Sequence, residues 1–202
     1  MPARKVSEHD FGALIRSLGG DYKKFADARY CPYCKKLLYK VDELPYDGQG
    51  VINGFAFPIE VKAADLSFDF ADLKPHQRAG LSEWQKRHHR PAWLGLQMGT
   101  DPVNGKGAYP RRLWLIEWDA WLSFEEDVIA QGAKSLPYSP ASTNRHAFID
   151  NHLTATEMLK DYELVRIVGG WHLSYAHLFR VHYGLPSDKE DTRAEQPRLA
   201  LD

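Results

Sequence analysis

Cysteine is scarce in this chain, and long apolar runs are missing. Cys31 and Cys34 are the only cysteines among 202 residues. No run approaches the roughly 18 apolar residues of a membrane span. Because no apolar stretch follows Met1–Lys5, we also expect no signal peptide. These absences predict a cytoplasmic protein with no membrane partner.

A large net charge is missing as well, since the formal charge is only −1 at pH 7. The distribution is uneven, however: residues 1–40 contain nine basic and four acidic residues, a net charge of +5. Residues 187–202 are weakly acidic, with a net charge of −2. We expect 187–202 to be a disordered tail. Residues 1–186 are long enough to form one domain with a real core.

The two cysteines lie in the segment Cys31-Pro32-Tyr33-Cys34. This spacing is typical of half a Zn²⁺ site or of a redox pair. A complete zinc site needs four ligands, so a His or the same pair from a second subunit would have to supply the others. Two reduced structural thiols in a turn are the simpler interpretation. The flanking sequence lacks the strand and helix of a thioredoxin-like motif, which argues against a redox role.

The strongest local signal in the chain is Asn53-Gly54 between two β-like runs, which predicts a hairpin. A two-residue turn of this kind requires positive φ angles, which Asn and Gly tolerate. With this turn, Ile52 lies opposite Phe55, and the same register places Asp47 opposite Glu60. Directly opposed residues share one face of a sheet, so the two carboxylates are expected to be neighbours.

Lys62 is expected on the same face as Glu60, because side chains alternate along a strand. Pro58 cannot donate a ladder hydrogen bond, so the strand should be at an edge or bulged there. The other face of the strand is expected to enter the core with Phe55, Phe57, Ile59 and Val61.

Two carboxylates so close together repel each other, and a divalent cation removes the conflict. Hard oxygen ligands suit Mg²⁺ or Mn²⁺. Lys62 is a point charge placed to steady an attacking water or phosphate oxygens. For the pattern Glu60-Val61-Lys62 alone, an exposed strand without function is the commoner explanation. The hairpin register adds Asp47 and thereby favours a metal site.

Residues 71–89 are predicted to form a helix, with Asp72 as its cap and Pro75 in its first turn. Gln77 is expected on the buried side of this helix, where its amide group needs a polar partner. That partner is either the neighbouring sheet or a loop. The positions expected on this side, at helical spacing, are Leu73, Gln77, Leu81, Trp84 and His88.

The opposite face of this helix is basic, with a net charge of +4 over residues 74–90. Such runs are usually only solvated faces. Beside a carboxylate site, a basic helix is also what a phosphate backbone requires. The candidate DNA-binding residues are Lys74, Arg78, Lys86, Arg87 and Arg90.

This order of residues resembles that of the RecU-type Holliday-junction resolvases, within the PD-(D/E)-x-K nuclease superfamily. The similarity is clear from Tyr46 to Trp121, and two later strand-like runs, 93–98 and 112–118, also fit it. The resemblance implies an α/β fold, with a restriction-endonuclease-like mixed central β-sheet flanked by α-helices. The matching residues are Asp47, Glu60-Val61-Lys62, Ser67-Phe68 and His76-Gln77.

The resemblance also implies Mg²⁺-dependent hydrolysis of DNA phosphodiesters by a homodimer, in recombination or repair. Glu8, or after it Asp10, would add an acidic ligand from the first helix. One departure is the short segment ahead of Asp47, which puts junction selectivity in question. The implied catalytic residues are Asp47, Glu60, Lys62 and Gln77, and the implied Mg²⁺ ligands are Asp47, Glu60, Val61 and Glu8.

Three functions remain open at this point. The first is a resolvase of four-way junctions, the second a restriction-like or repair nuclease acting on duplex or flapped DNA. The third is a non-catalytic DNA-binding module with a zinc knuckle at Cys31 and Cys34. A dimer would need apolar surface, which aromatic residues in the second half of the chain could supply, although packing in the core explains them equally well. These residues are Trp114, Trp118, Trp121 and Phe124.

The remaining elements follow from local signals. Residues 7–18 are predicted to form a helix with Ser7 as cap and Gly19-Gly20 as stop. A further helix is predicted over 119–131, a strand over 163–167, and a final helix over 174–182.

Overall fold

A seven-stranded sheet organises the part of the chain that the computed structural model describes. The described residues are 7–25, 29–30, 37–39, 45–99, 110–138, 154–167 and 170–173. They contain the helices α1 (Ser7–Ser17), α2 (Pro75–His88), α3 (Trp118–Ala130) and α4 (Ala155–Met158). Short 3-10 turns cover Phe70–Asp72 and Lys160–Tyr162. No helix in these ranges combines the length and apolar character needed to cross a membrane.

The strands, in chain order, are β1 (Asp21–Lys24), β2 (Arg29–Tyr30), β3 (Leu37–Tyr39), β4 (Gly48–Ile52), β5 (Phe55–Ala64), β6 (Ser67–Asp69), β7 (Trp93–Met98), β8 (Arg112–Glu117), β9 (Ser135–Pro137), β10 (Glu163–Ile167) and β11 (Gly170–Leu173). The main sheet has the order β1-β4-β5-β7-β8-β10-β11. Only β5 and β7 run parallel, and the other neighbours in this sheet are antiparallel. The fold is therefore mixed α/β, as expected, with a mostly antiparallel sheet.

The β4–β5 hairpin forms as its turn residues predict. Asn53 and Gly54 have φ angles of 50° and 78°. The pairing runs from Ile52 opposite Phe55 to Gly48 opposite Ile59 without a shift. β5 pairs with β7 only from Ile59 onward. Pro58 therefore has a strand neighbour on one side only, which explains how a residue without an N–H is tolerated there.

Phe55 does not enter the core, so that part of the prediction is wrong. Its side chain is 37 % exposed, and the Arg90 guanidinium lies 3.9 Å from the centre of its ring. Phe55 directly follows the exposed turn, where alternation along the strand no longer guarantees a packing partner. A cation over an aromatic face is a favourable arrangement that does not require burial.

Helices cover both faces of the sheet. Strand residues alternate between the two cores, which is the pattern expected when both faces are covered. On one face, α1 packs with the first buried cluster, whose members include Phe11, Leu14, Ile15, Phe57, Ile59, Val61, Trp93, Leu113 and Leu115. On the other, α2 and α3 pack with the second, which includes Leu81, Leu94, Leu96, Trp114, Ile116, Trp118 and Trp121.

The C-terminal end of α1 agrees with the sequence, but Ser7, predicted as its cap, already lies within the helix, and the start of α2 differs as well. Gly19 has a φ of +75°, and Gly20 donates to the Ile15 carbonyl, so α1 stops as predicted. Asp72 does not cap α2, because it lies in the 3-10 turn. The capping position is Lys74, whose backbone N–H donates to Oε1 of Gln77 at 3.0 Å.

Three of the aromatic residues considered for a dimer surface belong to the core instead. Trp114, Trp118 and Trp121 are fully buried, and Nε1 of Trp118 donates to Oγ of Ser82 at 2.9 Å. They therefore offer no surface to a partner. The predicted helix over 174–182 and the tail 187–202 lie outside the described residues, whereas the strand over 163–167 is present as β10.

Candidate active site

The candidate site lies where β5 extends beyond the start of β4. Gly48, the first residue of β4, is paired with Ile59. The next β5 residues therefore have no β4 neighbour on this edge. Asp47 occupies the place just before β4, and its Oδ2 accepts a hydrogen bond from the Val61 N–H at 2.9 Å. The register thus brings Asp47 beside β5, through a backbone contact instead of a strand pair.

Glu60 and Lys62 extend from β5 toward α2, where Gln77 meets both. Nζ of Lys62 lies 2.8 Å from Oε1 of Glu60 and donates to Oε1 of Gln77 at 2.9 Å. Nε2 of Gln77 donates to the same Glu60 oxygen at 2.5 Å. The three side chains form a closed ring of contacts. Gln77 contacts both of the partners considered for it: the sheet, through Glu60 and Lys62, and the backbone N–H of Lys74 just ahead of α2.

The Glu60 carboxyl is the most perturbed acid of this group. It is fully buried, and burial raises its pKa to about 7; the nearby charge of Asp47 adds to this rise, while Lys62 opposes it. Oε2 of Glu60 is also buried and has no hydrogen-bond partner among the described residues. A buried carboxylate oxygen without a partner is costly, so this position favours either a proton or a cation.

The donor set at this edge fits Mg²⁺ or Mn²⁺. Asp47 and Glu60 supply carboxylate oxygens, which hard cations prefer. The Val61 side chain belongs to the core, so only its backbone carbonyl could serve. In an extended strand the N–H and C=O of one residue point to the same side of the strand. Because the Val61 N–H points to Asp47, the Val61 carbonyl points to that side as well. Together these residues supply three oxygens of the preferred kind.

The acidic residues of α1 have other partners. Glu8 forms an ion pair with Lys24 at 2.5 Å, and Asp10 forms one with Arg111 at 2.7 Å. In the described part of the chain, no three or more Asp, Glu, His or Cys side chains form a group able to hold a metal. The structure therefore does not bring Glu8 into one group with Asp47 and Glu60.

Tyr22 is a neighbour that the sequence did not reveal. Its hydroxyl is buried with no hydrogen-bond partner among the described residues. Burial raises its pKa, and the charges of Glu8, Asp47 and Glu60 raise it further. A Cβ on Gly48 would lie 2.6 Å from this hydroxyl. In the sequence, the only indication of this contact is the missing side chain at Gly48. A glycine by itself does not identify which aromatic residue occupies the space beside it.

Gly80 allows α2 to approach the segment that carries Asp47. A Cβ at this position would lie 2.3 Å from Cβ of Pro45 and 2.8 Å from its carbonyl oxygen. Gly80 is three residues after Gln77, so one turn of α2 contacts both the sheet and the Pro45–Asp47 segment. A larger residue would have to displace that segment.

The predicted DNA-binding residues differ in what they contact. Arg78 donates to both carboxylate oxygens of Glu125, at 2.6 and 2.5 Å, and to the carbonyls of Phe70 and Leu73. It therefore links α2 to α3. Lys74 is exposed, although its Nζ donates to the Ala71 carbonyl.

The other three basic residues lie nearer the C-terminal end of α2. Arg87 pairs with Glu83 on an exposed helix face, and Arg90 contacts Phe55. Lys86 is exposed. The exposed cations of α2 are thus Lys74, Lys86 and Arg87. Cys31 and Cys34 lie outside the described residues, so the zinc hypothesis stays a prediction.

Replacing Glu60 should change how stability depends on pH in the absence of divalent cations. A carboxyl whose pKa rises on folding binds its proton more tightly in the folded state. Its contribution is therefore fully present below about pH 4.5 and is lost as the pH rises to about 7. Glu60→Gln removes this loss, so the stability of the variant relative to the wild type should rise by roughly 2–3 kcal/mol between pH 4.5 and pH 8.

Urea unfolding in EDTA from pH 4.5 to 8 measures this difference. Glu126→Gln, which removes an exposed carboxylate of α3, is the matched control and should show no such trend. A constant difference between Glu60→Gln and wild type across this range would contradict the raised pKa.

Removing the Arg78 guanidinium should destabilise the protein because it leaves Glu125, whose side chain is 7 % exposed, without its ion pair. We expect Arg78→Met to lower the free energy of unfolding by roughly 2–4 kcal/mol. The double variant Arg78→Met/Glu125→Leu should lose less. Arg87→Met breaks an exposed pair on the same helix and should cost under about 1 kcal/mol. Equal costs for the two single variants would refute the linking role of Arg78.

Comparison with known proteins adds no assignment to this geometry. The chain matches no protein-family model, and a search of curated protein sequences gives no match either. The function proposed below therefore rests on the residues of the site and on the resemblance of their order to that of the resolvases.

Proposed function

We propose that this chain is a metal-dependent endodeoxyribonuclease with a restriction-endonuclease-like fold, of the RecU-like resolvase type. The observation that carries the proposal is the convergence of four side chains at the unpaired edge of β5, where one buried carboxylate oxygen lacks a partner. Their carboxylate, ammonium and amide groups suit the hydrolysis of a phosphodiester. The four residues are Asp47, Glu60, Lys62 and Gln77.

Asp47, Glu60 and the Val61 carbonyl would hold Mg²⁺ or Mn²⁺. When bound, such an ion neutralises phosphate charge and lowers the pKa of a bound water. Asp47 is already oriented by the Val61 N–H. Glu60 must lose its proton to act as a ligand, and its raised pKa means that this proton is held until near-neutral pH. Because a bound cation competes with this proton, more Mg²⁺ should be needed for the same cleavage rate below about pH 7 than above it.

Lys62 would stabilise the negative charge that develops on the phosphate. Its ammonium group is held by Glu60 and Gln77 at 2.8 and 2.9 Å, so it needs little rearrangement when the reaction begins. A preorganised charge in a partly water-excluded place acts more strongly than one in bulk water. Gln77 acts by orienting Lys62 and Glu60, because it contacts both.

The substrate we propose is branched DNA, bound by the exposed cations of α2 and by the basic residues of 1–40. A four-way junction is resolved by two symmetric cuts. One site per chain then requires two chains related by a two-fold axis, so we propose a homodimer. Duplex or flapped DNA is the alternative substrate for the same chemistry.

Variants of the carboxylates test the chemistry directly. Asp47→Asn and Glu60→Gln should abolish Mg²⁺-dependent cleavage but keep DNA binding, since each removes negative charge near the phosphate. Lys62→Ala should lower the rate on the order of 10²-fold. Asp72→Asn removes an exposed carboxylate from the 3-10 turn ahead of α2 and should leave the rate unchanged.

The assay incubates one sequence, presented as a four-way junction, a duplex and a flap, with and without Mg²⁺, and resolves the products on a gel. Undiminished cleavage by Asp47→Asn or Glu60→Gln would reject the site. A monomer by light scattering that cuts duplex as fast as junction would reject the resolvase assignment and leave the nuclease. Binding of DNA without cleavage by the wild type would favour the non-catalytic module.

A further inference from the structure

An aromatic cleft lies beside the candidate active site. Its volume is about 380 Å³, a figure that includes space open to solvent. Tyr46, the residue before Asp47, lines one part of it, and α2 lines another. The lining residues that matter here are Pro45, Tyr46, Gly80, Trp84, Arg87 and His88.

The rings in this cleft form a continuous series. Tyr46 meets Trp84 edge-on, with ring centres 6.3 Å apart, and Trp84 lies over His88 with centres 4.1 Å apart. Nε1 of Trp84 is buried with no hydrogen-bond partner among the described residues. The cleft thus offers the aromatic rings of Tyr46 and Trp84 as surfaces for a ligand.

The cleft lies close enough to the site to receive the same DNA strand. Gly80 and Trp84 follow Gln77 by three and seven residues along α2, or about 4.5 and 10.5 Å along its axis. One strand of DNA advances about 3.4 Å per nucleotide. A strand that runs along α2 from a phosphate at Asp47 and Glu60 would place the bases one to three nucleotides away beside this cleft.

We propose that the cleft binds an unpaired nucleobase next to the phosphate that is cleaved. This inference rests on the proposed nuclease function and narrows its branched-DNA substrate to one whose base pairs are opened at the branch, so that a nucleotide near the cut is unpaired. Every base has an aromatic face and can stack on Trp84 or Tyr46 whatever its identity.

Charge and geometry favour a nucleotide as the occupant. Arg87 and its ion-pair partner Glu83 both line the cleft on an exposed face, so a phosphate that binds the guanidinium group has to displace the Glu83 carboxylate. In a duplex the faces of each base are already covered by stacked neighbours. Only a base released from its pair can place its face against the rings, so the cleft distinguishes unpaired from paired DNA.

A fluorescent base tests this without relying on catalysis. The probe is a DNA duplex with 2-aminopurine one to three nucleotides from the cleavage position, either unpaired or paired. In EDTA, we expect the wild type to bind the unpaired form about tenfold more tightly and to quench its fluorescence severalfold. Trp84→Leu should lose about tenfold in affinity for the unpaired form only, and Trp84→Phe should keep part of it.

Phe55→Leu is the matched control, because Phe55 is a partly exposed aromatic residue at the hairpin turn. This variant should bind both probes as the wild type does. The quenching by wild type needs no variant, so misfolding of Trp84→Leu, checked by circular dichroism, would not remove the test.

Equal wild-type affinity for the two probes, or an equal loss on both with Trp84→Leu, would overturn the inference. Self-association that Trp84→Leu abolishes, with no preference for the unpaired probe, would overturn it by assigning the cleft to a second copy. If the wild type cleaves with Mg²⁺ but shows no preference, the nuclease function stands and the cleft proposal fails. If it prefers and quenches the unpaired probe but never cleaves, the nuclease function fails and base binding stands.

Discussion

The fully buried carboxylate of Glu60 determines how the rest of the site is arranged. An isolated buried charge is too costly to keep, so neighbouring groups have to compensate for it. Lys62 and Gln77 do so at one carboxylate oxygen, at 2.8 and 2.5 Å. The other oxygen has no partner in the described part of the chain, and Asp47 adds a second negative charge nearby. The result is a position that favours a proton or a cation, and this preference follows from burial more than from any single contact.

Edge geometry makes this burial compatible with access. Because β4 begins opposite Ile59, β5 continues past it and leaves one backbone edge open beside Glu60. Asp47 takes part of that edge through the Val61 N–H. A continuous β4 would have covered the edge with a strand. The end of β4–β5 pairing at Ile59 thus creates the opening through which a substrate could approach Glu60.

Successive residues of α2 connect this edge to the rest of the fold. Gln77 contacts the sheet, Arg78 binds Glu125 of α3, and Gly80 permits close contact with Pro45. Two turns after Gln77, Trp84 lines the aromatic cleft. One helix therefore fixes the distance between the charged site and the cleft. Gln77, Gly80 and Trp84 share one side of the helix at spacings of three and four residues, whereas Arg78 points to another side.

Local chemistry in the sequence determined the hairpin, since Asn53-Gly54 tolerates positive φ, and alternation then placed Glu60 and Lys62 on one face. The sequence also predicts the strands β7 and β8, from their apolar runs, and the end of α1 at Gly19, because each of these features depends on neighbouring residues. Tertiary structure alone decided that Phe55 remains exposed, that Arg78 pairs with Glu125, and that the Tyr22 hydroxyl is buried near the carboxylates. Those outcomes depend on residues distant in sequence, and local periodicity carries no information about which distant partner will meet a side chain.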